Sequence, residues 1–361
     1  MRVSLVSMHY AEYTGRLAMA LASRHTVELH LSTFNARNEV SEEFLRRLAA
    51  TGVQVHLHPR PLRKNAVLDG WRLGRAIARF APDVIHAQEA AAWTVLASLM
   101  LGPRRRRLVL TVHDPKPHQG ADMAARARAE WAVRRVRTMA DDIIVHGDSL
   151  LQDMADACPS FSGRLHSVQH GALGEVPGES PKAPLNSILF FGRIQAYKGL
   201  GVLLDAVDIM TARGLSFELR IAGTGPDLDR YRDRLARLPN VHLDERYIPA
   251  EEIAPAFMAA AIVVMPYTEA TQSGVAAYAL AAGKPVVVTR VGAITEVVRD
   301  GFNGLVVEPN DPIGLADALT RLVQEPDLAA ELADGAYHTA ETMLSWSVIG
   351  KKTSVIYGLA S

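Results

Sequence analysis

The sequence has one cysteine, Cys158, in 361 residues. That excludes an internal disulfide framework and any multi-cysteine zinc centre, and it fits a reducing compartment. Net charge is also absent: 39 Lys+Arg balance 39 Asp+Glu, so whole-chain electrostatics give no reason to expect a nucleic-acid partner. Aromatic residues are scarce at 6%, while apolar residues reach 48%, a profile that excludes wholesale disorder. No apolar run spans a bilayer, because the longest stretches, near Ala91 to Gly102 and Ile253 to Met265, fall short of the roughly 18–20 residues required. The opening MRVSLVSMHY has no basic segment leading into a long apolar one, so neither a signal peptide nor a membrane span is expected, and a cytoplasmic protein is. Gly-x-Ser-x-Gly, His-Glu-x-x-His and the Walker pattern GxxxxGK[ST] are all missing, leaving hydrolase, zinc-protease and P-loop readings without support.

Two domains are expected at this length, each with its own core. Buried β-branched runs begin at Val3, Thr26, Val53, Asp83, Leu108 and Asp142, with amphipathic stretches such as Glu42 to Ala50 and Val67 to Phe80 between them. A Pro/Gly-rich segment at 172–185 reads as a linker. Alternation then resumes with strands expected at Ser187 to Phe191, Phe217 to Ala222, Val241 to Leu243, Ile262 to Met265, Pro285 to Thr289 and Gly304 to Val307. The pattern is helical from Pro312 onward. The expected fold is therefore α/β: two Rossmann-like, doubly wound parallel-sheet domains, residues 1–171 and 186–344, facing across a cleft, with a C-terminal helix at 345–361 returning to the first domain.

Ligand chemistry in such sheets lies just beyond strand ends. At the end of Ile188-Leu-Phe-Phe, Gly192 and Arg193 follow at once and Lys198-Gly199 opens a helix; two cations and a helix start suit a diphosphate, although a solvated pair beside a turn has the same spacing. Gly223 and Gly225 in Ala-Gly-Thr-Gly-Pro allow close backbone approach, as in a dinucleotide fingerprint or a plain strand-to-helix turn. In Pro-Tyr-Thr-Glu-Ala-Thr-Gln-Ser-Gly-Val, Glu269 could bind a polyol, while Gln272, Ser273, Gly274 and Val275 could offer amides to an anion or simply cap the next helix. Candidates in the first half are His9, His86, and the pair His113 and Asp114, each near a strand end. His56 and His58 share a strand face, but no third ligand is recognisable beside them, so no metal site is expected. Eleven of thirteen His and an excess of 23 Lys+Arg over 18 Asp+Glu lie before Ser180. The Arg104 to Arg107 run and Arg126, Arg128, Arg134, Arg135 and Arg137 form either a solvated helix surface or a patch for an anionic acceptor or a membrane face.

The order of motifs, Phe-Gly-Arg-Ile-x-x-x-Lys-Gly, Ile-Ala-Gly-Thr-Gly-Pro, Pro-Tyr-Thr-Glu-Ala-x-Gln-Ser-Gly-Val and Ala-Ala-Gly-Lys-Pro-Val-Val, resembles that of the retaining family 4 glycosyltransferases of the GT-B fold. The resemblance implies transfer of a sugar from a nucleotide-sugar donor, a UDP- or GDP-sugar first among them, to a glycan, lipid-linked or small-molecule acceptor, with no metal or other cofactor. It implies that Arg193 and Lys198 bind the diphosphate, that Glu269 and Gln272 to Val275 bind sugar and phosphate, and that Tyr247 and Ile248 lie near the base. His113 matches the family His that approaches the sugar from the other domain. Two departures stand out. Alignment through Gly283-Lys-Pro puts Tyr278 where the family has a second Glu, and the first loop, His9 to Gly15, lacks a Gly-Gly pair and has Gly15 as its only flexible position. An epimerase of the same architecture and a catalytically silent nucleotide-sugar-binding protein are the alternatives.

Overall fold

The computed structural model describes residues 1–101, 106–116, 129–176 and 183–358. Two compact units result: Met1–Gln169 together with the helix Trp346–Gly358, and His170–Ser345. In the first, seven parallel strands, β1 (Arg2–Ser7), β2 (Thr26–Ser32), β3 (Gln54–His58), β4 (Val84–Gln88), β5 (Arg107–Thr111), β6 (Asp142–Val145) and β7 (Arg164–Ser167), lie in the order β3-β2-β1-β4-β5-β6-β7. In the second, β8 (Ser187–Phe191), β9 (Glu218–Ala222), β10 (Val241–Asp244), β11 (Ile262–Met265), β12 (Val286–Thr289) and β13 (Gly304–Val307) take the order β10-β9-β8-β11-β12-β13. Both are doubly wound sheets. Helices cover them on both faces, which is why central strands such as Ile262-Val-Val-Met are apolar throughout and wholly buried.

Local signals set the helices. Ser41 accepts a hydrogen bond from the Phe44 amide at 3.1 Å, and Phe44 and Leu48, one turn apart, are the buried residues of the helix Glu42–Ala50. Asp311 caps the Gly314 amide at 2.9 Å, and Pro312 occupies the first helical position, where its missing N–H costs nothing. The strand β7 is an addition to the expected set; residues 170–171, expected in the first domain, and 172–176 of the expected linker belong to the second unit. Among the described residues, no helix is long and apolar enough to cross a membrane.

The helix Trp346–Gly358 packs into the first unit. A Cβ at Gly350 would lie 2.7 Å from the Ala20 Cβ, and the buried Tyr357 hydroxyl bonds His86 Nδ1 at 2.6 Å. His86 and His146 are both fully enclosed; burial pushes their pKa values down to about 3 and about 4, so both are neutral in the native state. The unfolded chain takes up these protons near pH 6.5, which means that stability is complete above that pH and is lost as the pH falls toward 4. The slope should reach about 1.4 kcal/mol per pH unit for each histidine. Urea unfolding of the wild type and His86→Gln at pH 7 and pH 5 checks this: the variant should show a shallower acid dependence, and an unchanged slope would remove His86 as a cause.

Candidate functional site

In the second sheet the direction of winding reverses between β8 and β11, and in such sheets ligands bind beyond the strand ends at that reversal. Beyond β8 come Gly192, the exposed Arg193 and a 3-10 turn at Ala196–Lys198. Gly199 (φ 72°) then starts the helix Leu200–Ala212. A side chain at Gly199 is impossible, because its Cβ would lie 1.8 Å from the Pro266 carbonyl oxygen just after β11. The Thr268 amide also donates to the Tyr197 carbonyl at 2.8 Å, stitching the two loops together. Lys198 is held over the buried Tyr267 ring, with Nζ 3.8 Å from its centroid. That contact orients the ammonium and leaves its hydrogens available.

Neither Arg193 nor Lys198 has an acidic partner within 4.0 Å among the described residues. Most other arginines of this unit are neutralised, among them Arg220 by Asp244, Arg232 by Glu245 and Arg246 by Glu252, whereas Arg237 and Arg299 have no acidic partner among the described residues. Two uncompensated cations at one strand end favour an anion there.

The loop after β11 carries the exposed Glu269 and ends at Ser273, whose hydroxyl accepts from the Ala276 amide at 3.2 Å and caps the helix Gly274–Ala281. The amides of Gly274 and Val275 have no intrahelical carbonyl to bond and carry the positive end of the helix dipole. Val275 Cγ2 would be 3.8 Å from a Cβ at Gly192, so this helix start adjoins the turn after β8. Gln272 is half-buried there, and its Oε1 has no hydrogen-bond partner among the described residues. Arg193, Lys198, Gln272, Ser273, Gly274 and Val275 are thus brought together, with Glu269 on the adjoining loop.

Gly223 and Gly225 have a different role from the one their spacing suggests. Their Cβ atoms would meet the carbonyl oxygens of Gly192 and Ile194 at 2.0 and 2.1 Å, so they let the turn after β9 lie flush against the turn after β8. Tyr247 is exposed, while the Ile248 side chain is buried in the core beside Phe257, leaving only its backbone for a ligand. Tyr278 is buried against Phe257, ring centroids 4.6 Å apart, and its hydroxyl donates to the Glu175 carbonyl at 2.7 Å. A phenol here is a structural strut, at the position where the resemblance implies a carboxylate. Tyr278→Phe should cost about 1 kcal/mol in urea unfolding, the worth of one such bond; unchanged stability would contradict the strut.

In the first unit His113 is buried beyond β5, with Nε2 2.9 Å from Gln88 Oε1 and Nδ1 3.2 Å from His146 Nε2. Tyr10 stacks on its ring at 3.8 Å from a left-handed backbone (φ 33°), an uncommon conformation for a residue other than glycine. Asp114 is half-buried next to it, and its charge favours protonation of His146. The largely exposed His9 bonds Asn35 Nδ2 at 2.8 Å and lies 3.7 Å from Glu39, whose pKa is raised by burial. Tyr10 and His146 were not singled out by sequence. His146 follows β6 as His113 follows β5, a signal that was available.

Three expectations are corrected. His86 is an interior residue: Nδ1 bonds Tyr357 and Nε2 bonds Thr111 Oγ1 at 2.7 Å, with no exposed surface. Gly15 is in the helix Ala11–Ala22, where a Cβ would lie 2.7 Å from the Phe44 ring, so it serves packing and not loop flexibility. Arg137 is buried in a bidentate pair with Glu89 (2.5 and 2.7 Å), and Arg107 pairs with Asp142, so neither is part of a free basic surface. Arg104, Arg105, Arg126 and Arg128 lie outside the described residues.

Residues 11–172 match Glycosyltransferase Family 4, and residues 186–325 match Glycosyl transferases group 1. The chain belongs to the family 4 glycosyltransferases. Among its curated relatives, a D-inositol 3-phosphate glycosyltransferase of Corynebacterium urealyticum is 31% identical over 241 residues, covering 60% of this chain and 56% of that protein. Another of the same name, from a Nocardioides species, is 36% identical over 232 residues, covering 57% and 50%. The chain thus spans about half the length of these relatives. Anabaena HepE in complex with UDP-glucose superposes with a TM-score of 0.73 at 17% identity, over 99% of this chain and 100% of that one. The chain accordingly has the two Rossmann-like sheets of the GT-B fold.

Proposed function

We propose that the protein transfers a sugar from a nucleotide-sugar donor to an acceptor hydroxyl, with retention at the anomeric carbon. The observation that carries this reading is the pair Arg193 and Lys198, unneutralised, beside the start of the helix Gly274–Ala281. These groups complement a diphosphate, and their effect grows as negative charge builds on the leaving group. They supply the charge for which other sites use a divalent ion, so the reaction is expected to run in EDTA. A catalytically silent protein would have no need to keep two cations unpaired.

In the proposed step the bond from C1 to the β-phosphate oxygen breaks. The acceptor oxygen bonds C1 on the same face, and its proton passes to the departing phosphate oxygen. Glu269, with the backbone from Gln272 to Val275, is assigned to the sugar and phosphate, and Tyr247 with the backbone of Ile248 to the base. His113 is the first unit's candidate for contact with the sugar. HepE, solved with UDP-glucose, supports a uridine nucleotide over a guanosine one, and the relatives' names support a polyol phosphate acceptor.

Proton NMR of reactions containing UDP- or GDP-sugars, inositol phosphates and EDTA tests the reading. A product anomer matching the donor's configuration is expected; an inverted product would overturn retention, and an epimerised nucleotide sugar would establish the epimerase instead.

A further inference from the structure

The helix Ala66–Phe80 buries one regular face, Ala66, Gly70, Leu73, Gly74, Ile77 and Phe80, against the first sheet's core. Its outer face carries two kinds of group. Near the helix start, Val67, Leu68 and Trp71 are 71%, 50% and 42% exposed. Farther along, Arg72, Arg75 and Arg79 are all exposed. At 3.6 residues per turn these six positions fall within a sector of about 140°. The helix has a single acid, Asp69, which lies outside that sector with its side chain 11% exposed. Just before the helix, Leu62 (42% exposed) and the exposed Lys64 add one more group of each kind. Other outward helix faces of this unit mix the two signs of charge, with Glu43 beside Arg46 at 2.7 Å and Glu130 beside Arg134 at 3.1 Å.

Large apolar side chains left in water over two turns give up free energy that burial in a nonpolar layer returns. Arginines along the rest of the same face repel one another and attract a negative surface. An anionic bilayer answers both demands: its acyl boundary takes Val67, Leu68 and Trp71, and its phosphates take the guanidinium groups. The indole of Trp71 suits that boundary, being apolar with one polar N–H. Arg75 lies over the Trp71 ring, Cζ 4.9 Å from its centroid, so a cation is held beside the aromatic anchor. An outer face with one sign of charge fits a uniformly negative surface better than a protein partner of mixed charge, and two copies of this face would repel each other. We infer that the outer face of the helix Ala66–Phe80 docks the first unit on an anionic lipid surface, with the helix lying in the plane of the interface. The cations concerned are other than those grouped by sequence around Arg134. None of these residues is among the groups assigned to sugar transfer.

Co-sedimentation of the full chain with vesicles tests the inference, using phosphatidylcholine alone and phosphatidylcholine with added phosphatidylglycerol. The wild type should partition onto the anionic vesicles, bind the neutral ones far less, and be released as salt rises. Arg75→Gln combined with Arg79→Gln should weaken partitioning about 25-fold, roughly 5-fold for each charge. Leu68→Ser combined with Trp71→Ser should weaken it about 10-fold or more. All four side chains are exposed, so both variants should keep the urea midpoint of the wild type, which checks their folding. No binding to anionic vesicles, equal binding to both kinds, or unchanged partitioning in either variant would overturn the lipid surface. A lipid-free dimer in light scattering, lost on Leu68→Ser with Trp71→Ser, would assign the face to a second copy of this chain instead.

Discussion

Lys198→Ala should lower kcat/KM for sugar transfer by about 10²–10³-fold and leave the urea midpoint close to that of the wild type. The argument rests on where the charge is needed. Its ammonium is held 3.8 Å above the Tyr267 ring and has no acidic partner among the described residues, so its removal breaks no ion pair and costs the fold only a cation–π contact of about 0.5–1 kcal/mol. In the reaction, by contrast, negative charge accumulates on the leaving diphosphate, and a preorganised cation is worth more in that state than in the ground state. The loss should therefore fall mainly on kcat, with a smaller change in KM. Steady-state kinetics with the donor varied reads this directly; wild-type turnover in the variant would reject the assignment of Lys198.

The largest effect on stability is expected at Arg137. Its side chain is 4% exposed, and the guanidinium forks onto both oxygens of Glu89 and also donates to the Pro115 carbonyl at 3.3 Å. Arg137→Ala removes the bidentate guanidinium from the nearly buried Glu89 carboxylate, and breaking such a pair from one side costs about 3–5 kcal/mol. Arg137→Met combined with Glu89→Leu removes both charges and keeps the volume, and should recover much of that loss. Urea unfolding of the single and double variants measures the difference. A double variant no more stable than Arg137→Ala would show that the pair's contribution is not mainly avoidance of a stranded charge.

The same residue shows where sequence reading runs out. Helical spacing groups Arg137 with Arg134 and Arg135, yet which arginine turns inward depends on Glu89, the residue that follows β4, far away in the sequence. Strands were legible where burial on both faces left unbroken apolar runs, as in Val286–Thr289. β7, Arg-Leu-His-Ser, is a half-buried edge strand whose Arg164 and His166 are drawn in by Asp142 of β6; nothing in its own composition marks it as a strand. In the second unit the candidate loops were legible because each directly continues a strand, so motif and position coincide.

The first unit was harder to read. His86 and His113 both look like strand-end histidines. His86, however, is inside β4 and meets Tyr357 from the C-terminal helix, whereas His113 lies beyond the last residue of β5. Gly15 read as loop because the helix Ala11–Ala22 starts without a side-chain cap, at a left-handed Tyr10.

The measurement that reaches the central claim most directly is calorimetric titration of UDP and GDP into the wild type, Arg193→Ala and Lys198→Ala in the presence of EDTA. The account predicts one nucleotide bound per chain without metal, with preference for one base, and binding weakened in both variants. Binding that requires a divalent ion, or equal affinity in all three proteins, would contradict it.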